Sequence, residues 1–206
     1  MINIITDDLP SGVLINGINV PFCPDHKSCI RAVSALVDDT EVDEQDAAYK
    51  ALNAFYAMVP ETVEIDTLFS AMLDFLSGPP VPVLPGQRGK CGENVAPMYS
   101  FLYDQQMIFA AFMQQYHIDL TEKTLHWWKF KALLNNLTGN PMAEVMCIRS
   151  AEETPDMDSK ERKRVRENRK HWAVPVRTES DKRSDAVAAA LLSGNLDDLE
   201  VALGRK

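Results

Sequence analysis

An α+β fold, mostly α-helical, with an N-terminal β-hairpin plus helices and then a C-terminal helical bundle, is predicted by three features of the sequence. First, Asn16-Gly17 sits between two β-branched apolar segments in "VLINGINV". Both residues tolerate the positive φ angles that a two-residue type I′ turn demands. Second, apolar residues recur at helical spacing downstream, as in Ile65, Leu68, Phe69, Met72, Leu73 and Leu76. Third, Gly78–Pro97 holds five of the twelve prolines and four of the nine glycines, a composition that favours extended backbone over a packed element.

Taken in order, "MINII" offers a third strand beside the hairpin, and Pro21 and Pro24 stop the sheet. Asp25 is placed to cap a helix running to about Val37. Six acids then fall among the nine residues Asp38–Asp46. They read as a solvated helix start, where carboxylates meet the positive end of the helix dipole. A calcium loop would need a turn glycine, and none occurs between Gly17 and Gly78. Ala47–Met58 is a second helix with Leu52, Phe55, Tyr56 and Met58 on its apolar face, and Pro60 separates it from a third, which Gly78 ends. The PxxP matches at Pro79–Pro82 and Pro82–Pro85 serve a semi-rigid linker better than an aromatic-groove ligand, because such matches are common in proline-rich loops.

Beyond the linker, Phe101, Leu102, Ile108, Phe109, Phe112, Met113 and Tyr116 form one stripe of a helix from about Met98 to Tyr116. Asp119 with Glu122 three residues on matches a capping box, which predicts an antiparallel helix from residue 120 to about Leu137. A short helix at Met142–Ile148 and a charged helix at Asp158–His171 follow, then Pro175. The chain thus divides into a hairpin and three-helix region (1–77), a linker (78–97), a C-terminal helical region (98–175) and a tail (176–206). Two amphipathic segments in the tail break at Ser193-Gly194. Each is too short to be stable alone, so the tail is expected to be weakly structured, or to fold on a partner or on another copy of the chain.

Composition bounds the function. With 206 residues, 46% hydrophobic and 25% charged, the chain has the make-up of a soluble globular protein. A net charge of −9 argues against wholesale binding to nucleic acid or to an anionic membrane. Residues 1–20 lack the pattern of a signal peptide, and no apolar run approaches the roughly 18 residues of a membrane span. Four scattered cysteines (Cys23, Cys29, Cys91 and Cys147) make no disulfide framework, which points to a reducing cytoplasm.

Three constellations are candidates for chemistry. Cys23-x-x-His26-x-x-Cys29 offers three metal-ligand types, but a closed zinc site pairs two short ligand motifs and the second is missing. The cluster reads as structural thiols, with zinc at Cys23, His26 and Cys29 the lesser alternative, and no cofactor is expected. His126-Trp127-Trp128 is the second. A general base needs an orienting carboxylate and a nucleophile within reach; Glu122 and Lys129 are the only neighbours at helical spacing. The expectation is a core helix using large aromatics. Contact with a partner through Trp127, Trp128 and Phe130 stays open, because one helix does not easily bury two adjacent indoles in a small bundle. The third is the basic run Lys160, Arg162, Lys163, Arg164, Arg166, Arg169 and Lys170, seven cations against Glu161 and Glu167, a local balance of +5. It can neutralise phosphates, but the charge surrounds the helix and no aromatic platform is interleaved before His171-Trp172. A solvated helix docking on the chain's own acidic half, or on an acidic partner, is the preferred reading.

The segment from Phe101 to Leu137, with Asp104, "YHIDL", "HWWKF", Ile148-Arg149 and the basic helix, resembles the Gp-fifteen family of tailed phages. The opening "INGINVPFCPDHKSCIR" is similar more loosely, with Asp25-His26 where the family shows an aspartate-aromatic pair. Genes of this family commonly lie between those for the tail tube and the tape measure in siphophages. The resemblance implies a non-enzymatic tail assembly chaperone that binds tape-measure protein, and tail-tube protein as a further partner. It would act in the host cytoplasm and be left out of the mature virion. Nine Met and sixteen Phe, Trp and Tyr suit a holdase that repacks against many helical faces. The alternatives are a nucleic-acid-binding phage regulator using residues 160–170, and a structural tail or head-tail component.

Overall fold

Strands β1 (Gly12–Ile15) and β2 (Ile18–Pro21) pair antiparallel with Ile15 opposite Ile18. Asn16 at φ 51° and Gly17 at φ 81° close the predicted two-residue turn. The computed structural model describes residues 2–37, 44–60, 63–79 and 97–175. Among these no third strand forms: the Asp7 N–H donates to Asn3 O at 3.0 Å and the Asn3 N–H to Asp7 Oδ2 at 2.9 Å, so this stretch curls up instead of extending.

Asp25 caps helix α1 (His26–Val37), its Oδ1 accepting the Ser28 N–H at 3.0 Å. Helix α2 (Glu44–Phe55) lies three residues nearer the N-terminus than predicted. Tyr56 leaves it to form an antiparallel bridge with Phe22, and its hydroxyl donates to Leu68 O at 2.8 Å. Met58, expected on the apolar face, is exposed. Helix α3 (Ile65–Ser77) ends at Gly78, whose φ of 91° is cheap only for glycine.

Helices α4 (Gln105–Tyr116), α5 (Trp127–Asn135), α6 (Pro141–Ser150) and α7 (Ser159–Trp172) follow. Two starts differ from expectation. Residues 98–104 are not helical because the Asp104 carboxylate turns back to accept the Ser100 N–H at 2.8 Å. Residues 120–126 are not helical either. Asp119 accepts the Thr121 N–H at 2.7 Å and its hydroxyl at 2.6 Å, an Asx turn in place of a cap. The capping box present is at α7, between Asp158 and Glu161.

One hydrophobic core spans both sides of Gly78–Pro97. Phe22 and Phe55 pack on Phe75, which stacks on Trp128, and Phe130 stacks on Phe112 and His26. The segment therefore separates two stretches of sequence and not two cores. The chain to Val174 is one unit and Pro175–Lys206 a second. Residues 80–96, with Cys91 and the PxxP matches, the acids at 38–43, and the tail at 176–206 lie outside the described residues.

Candidate functional site

The residues that open α1 and α5 are tied to one another. His26 N–H donates to Leu125 O at 2.8 Å and Trp127 N–H to Pro24 O at 2.7 Å, so Asp25 and His126 form an antiparallel bridge. This extended pairing ends α5 at Trp127 on its N-terminal side, which explains why the helix cannot reach back to residue 120. Each histidine then makes the same two bonds. His26 Nδ1 accepts the Leu125 N–H at 3.2 Å and its Nε2 faces Leu120 O at 3.1 Å. His126 Nδ1 accepts the Trp128 N–H at 3.2 Å, capping α5, and its Nε2 faces Pro10 O at 3.1 Å. An accepting Nδ1 and a carbonyl opposite Nε2 assign the neutral Nε2–H tautomer to both. Burial holds both imidazoles below the usual histidine range.

Neither ring has a nitrogen to spare for a metal or a substrate proton without breaking a backbone bond. Cys29 is fully buried, its thiol pushed up by burial and donating to Cys23 O at 3.6 Å. Zinc at Cys23, His26 and Cys29 is thus disfavoured, and no three His, Cys, Asp or Glu among the described residues are placed to hold a metal.

Trp127 and Trp128 are 2% and 8% exposed and Phe130 is fully buried. Both indoles therefore pack in the core, as expected, and the alternative of an exposed ring for a partner does not fit their burial. Both fit because they occupy the first turn of α5, against the end of α3, and not a mid-helix position. Their ring N–H groups donate to Leu76 O and Phe75 O, each at 2.9 Å. Lys131 Nζ donates to Leu76 O and Ser77 O, also at 2.9 Å. Three α5 side chains therefore donate to the last carbonyls of α3, where Phe75 O also accepts the Gly78 N–H at 3.1 Å. These residues belong to the core and are not exposed partner contacts.

A buried ion pair is the feature that residue patterns alone did not disclose. Arg149 Nη1 and Nη2 donate to Asp104 Oδ2 and Oδ1 at 2.5 and 3.0 Å, Nη1 also to Met98 O at 3.2 Å, and Nε to Trp172 O at 2.6 Å. The fork joins the approach to α4, the end of α6 and the end of α7. Both residues carried the family resemblance, but nothing in their spacing announced that they meet.

Of the basic helix, Arg162 is folded back on Met157 O and Pro155 O, and Arg166 pairs with both oxygens of Glu153 at 3.0 Å. Arg169 is half-buried. Lys160, Lys163, Arg164 and Lys170 face outward around Glu167, which lies 3.8 Å from Lys163.

An open groove of about 670 Å³ lies between α1 and α4. Ile30, Phe101, Ile108, Phe109 and Leu120 supply its apolar lining, Lys27 and Arg31 one side, and Gln105 and Gln106 the other. Helix α4 is apolar on two faces: Ile108, Ala111 and Phe112 are buried, whereas Phe109 and Met113, with Leu102 one turn ahead of the helix, are exposed. No helix among the described residues is long and apolar enough to cross a membrane. The family model described as "Bacteriophage Gp15 protein" matches residues 5–174. No curated protein and no solved structure matches the chain.

Proposed function

The chain belongs to the bacteriophage Gp15 protein family, and from that premise we propose that it is a tail assembly chaperone of siphophages. In this reading it binds tape-measure protein, and tail-tube protein as a further partner, in the host cytoplasm, catalyses no reaction and leaves before the virion is complete. The supporting observation is the second apolar face of α4. Phe109 and Met113, four residues apart on the helix, stand 37% and 40% exposed, and Leu102 just ahead of it is 46% exposed. Exposed apolar residues gathered on one face mark interaction surfaces more often than isolated ones do. A tape-measure helix offers long stripes of the same kind, and burying one against the other hides both from water. Co-expression with the neighbouring tape-measure protein tests this. The client is expected to shift from the pellet to the soluble fraction, and equal solubility with and without this chain ends the reading.

The outward cations of α7 favour a second reading, a nucleic-acid-binding regulator. Lys160, Lys163, Arg164 and Lys170 carry no described partner except Glu167. Binding of duplex DNA that persists at physiological salt would support it. The expectation here is weak binding that disappears there.

A further inference from the structure

The α1–α4 groove has a chemical bias, and from it we infer that the groove takes an amphipathic helix whose apolar stripe is flanked by carboxylates. This deepens the chaperone reading and rests on it. The groove falls within the roughly 300–1,000 Å³ typical of ligand sites and is open to solvent, as suits a helix laid in a groove with anchors about a turn apart. In a chain with 30 acidic residues, none of the residues lining the groove is acidic. Two cations stand on one side instead. Lys27 is already engaged, donating to Thr121 O at 2.5 Å. Arg31, one turn along α1, is exposed and forms no ion pair among the described residues. Across from it, Gln105 and Gln106 present neutral amides. A carboxylate one turn from the apolar anchors of a docked helix would therefore meet Arg31, whereas a lysine there would meet like charge. Phe101, Ile108 and Phe109 form an apolar floor that a leucine stripe covers and a phosphate backbone does not, which favours the amphipathic helix.

The test uses the full chain and two fluorescein-labelled stapled helical peptides that share one leucine stripe, flanked in one by glutamates and in the other by lysines. Anisotropy titrations at low salt are expected to show the glutamate peptide bound roughly two- to fivefold more tightly, the scale of an exposed charge pair. Arg31→Glu is expected to reverse that preference. Gln106→Glu, a near-isosteric change, is expected to weaken the glutamate peptide alone, and Phe109→Asp to abolish binding of both. Phe109 is exposed, so a matching thermal melt checks that its variant still folds. Equal affinity for the two peptides, or a preference untouched by Arg31→Glu, overturns the assignment. A Phe109→Asp variant that still solubilises tape-measure protein removes the groove while leaving the chaperone reading in place; a client equally soluble without the chain removes the chaperone reading itself.

Discussion

Replacing Arg149 by Met keeps most of the side-chain length and removes the charge. Arg149 is 7% and Asp104 2% exposed, so the carboxylate left behind has no route to bulk water and keeps the Ser100 N–H as a donor. Breaking a buried pair by deleting one partner costs about 3–5 kcal/mol, chiefly through the uncompensated charge. The loss here includes the bonds to Met98 O and Trp172 O, which places the expectation at the upper end. For a domain of this size that is a fall of roughly 6–20 °C in Tm. Urea unfolding followed by tryptophan fluorescence measures it, because Trp127 and Trp128 are buried in the native state. Arg166→Met is the control: its pair with Glu153 is solvent-exposed, and its midpoint is expected to stay where it is. The double variant Asp104→Leu/Arg149→Met is expected to regain much of the single variant's loss. If Arg149→Met unfolds like Arg166→Met, or the double variant is worse than the single, the reasoning from buried charge is wrong.

Three further outcomes follow from contacts already described. Because burial lowers the folded pKa of His26 and His126 below the reference value of 6.5, both are neutral in either state well above that pH and contribute no pH dependence. Below it the unfolded chain takes up protons that the folded chain refuses, so stability falls by up to about 1.4 kcal/mol per pH unit for each residue; chemical denaturation from pH 8 downward should show this limb, made shallower by His26→Gln. Trp127→Phe and Trp128→Phe each keep a ring but remove one of two donors to a carbonyl at the end of α3, since Leu76 O keeps Lys131 and Phe75 O keeps the Gly78 N–H; each is expected to cost about 0.5–1.5 kcal/mol by the same denaturation assay. Gly17→Val meets no steric obstacle, with nothing within 4 Å of an added Cβ, yet its φ of 81° should cost on the order of 1–2 kcal/mol in thermal stability.

What was legible in the sequence was local. Asn16-Gly17 stated its own turn, Asp25 its cap and Gly78 its helix end, because each depends on the conformational freedom or hydrogen bonding of a single residue. The start of α5 depends instead on Pro24, a residue a hundred positions away that claims the Trp127 N–H. A capping-box pattern at Asp119 and Glu122 could not reveal that competition. The burial of both indoles was hidden for a related reason: it requires the carbonyl end of α3 to lie over the first turn of α5, a tertiary fact. Asp104 and Arg149 were visible as residues and invisible as a pair. The groove shares this limit, since Arg31 and Phe109 come from helices that meet only once the chain has folded.

The bridge between Pro24–His26 and Leu125–Trp127 has a consequence for how the molecule is made. A ribosome releases the first strand of that bridge about a hundred residues before the second; at roughly 5–20 residues per second the wait is of the order of 5–20 s. Until Trp128 is made, Phe75, with Phe22 and Phe55 packed on it, lacks the indole it stacks on. Closure comes late and in one step, so a product that stops short of Leu125 is not a smaller working protein but a sticky fragment.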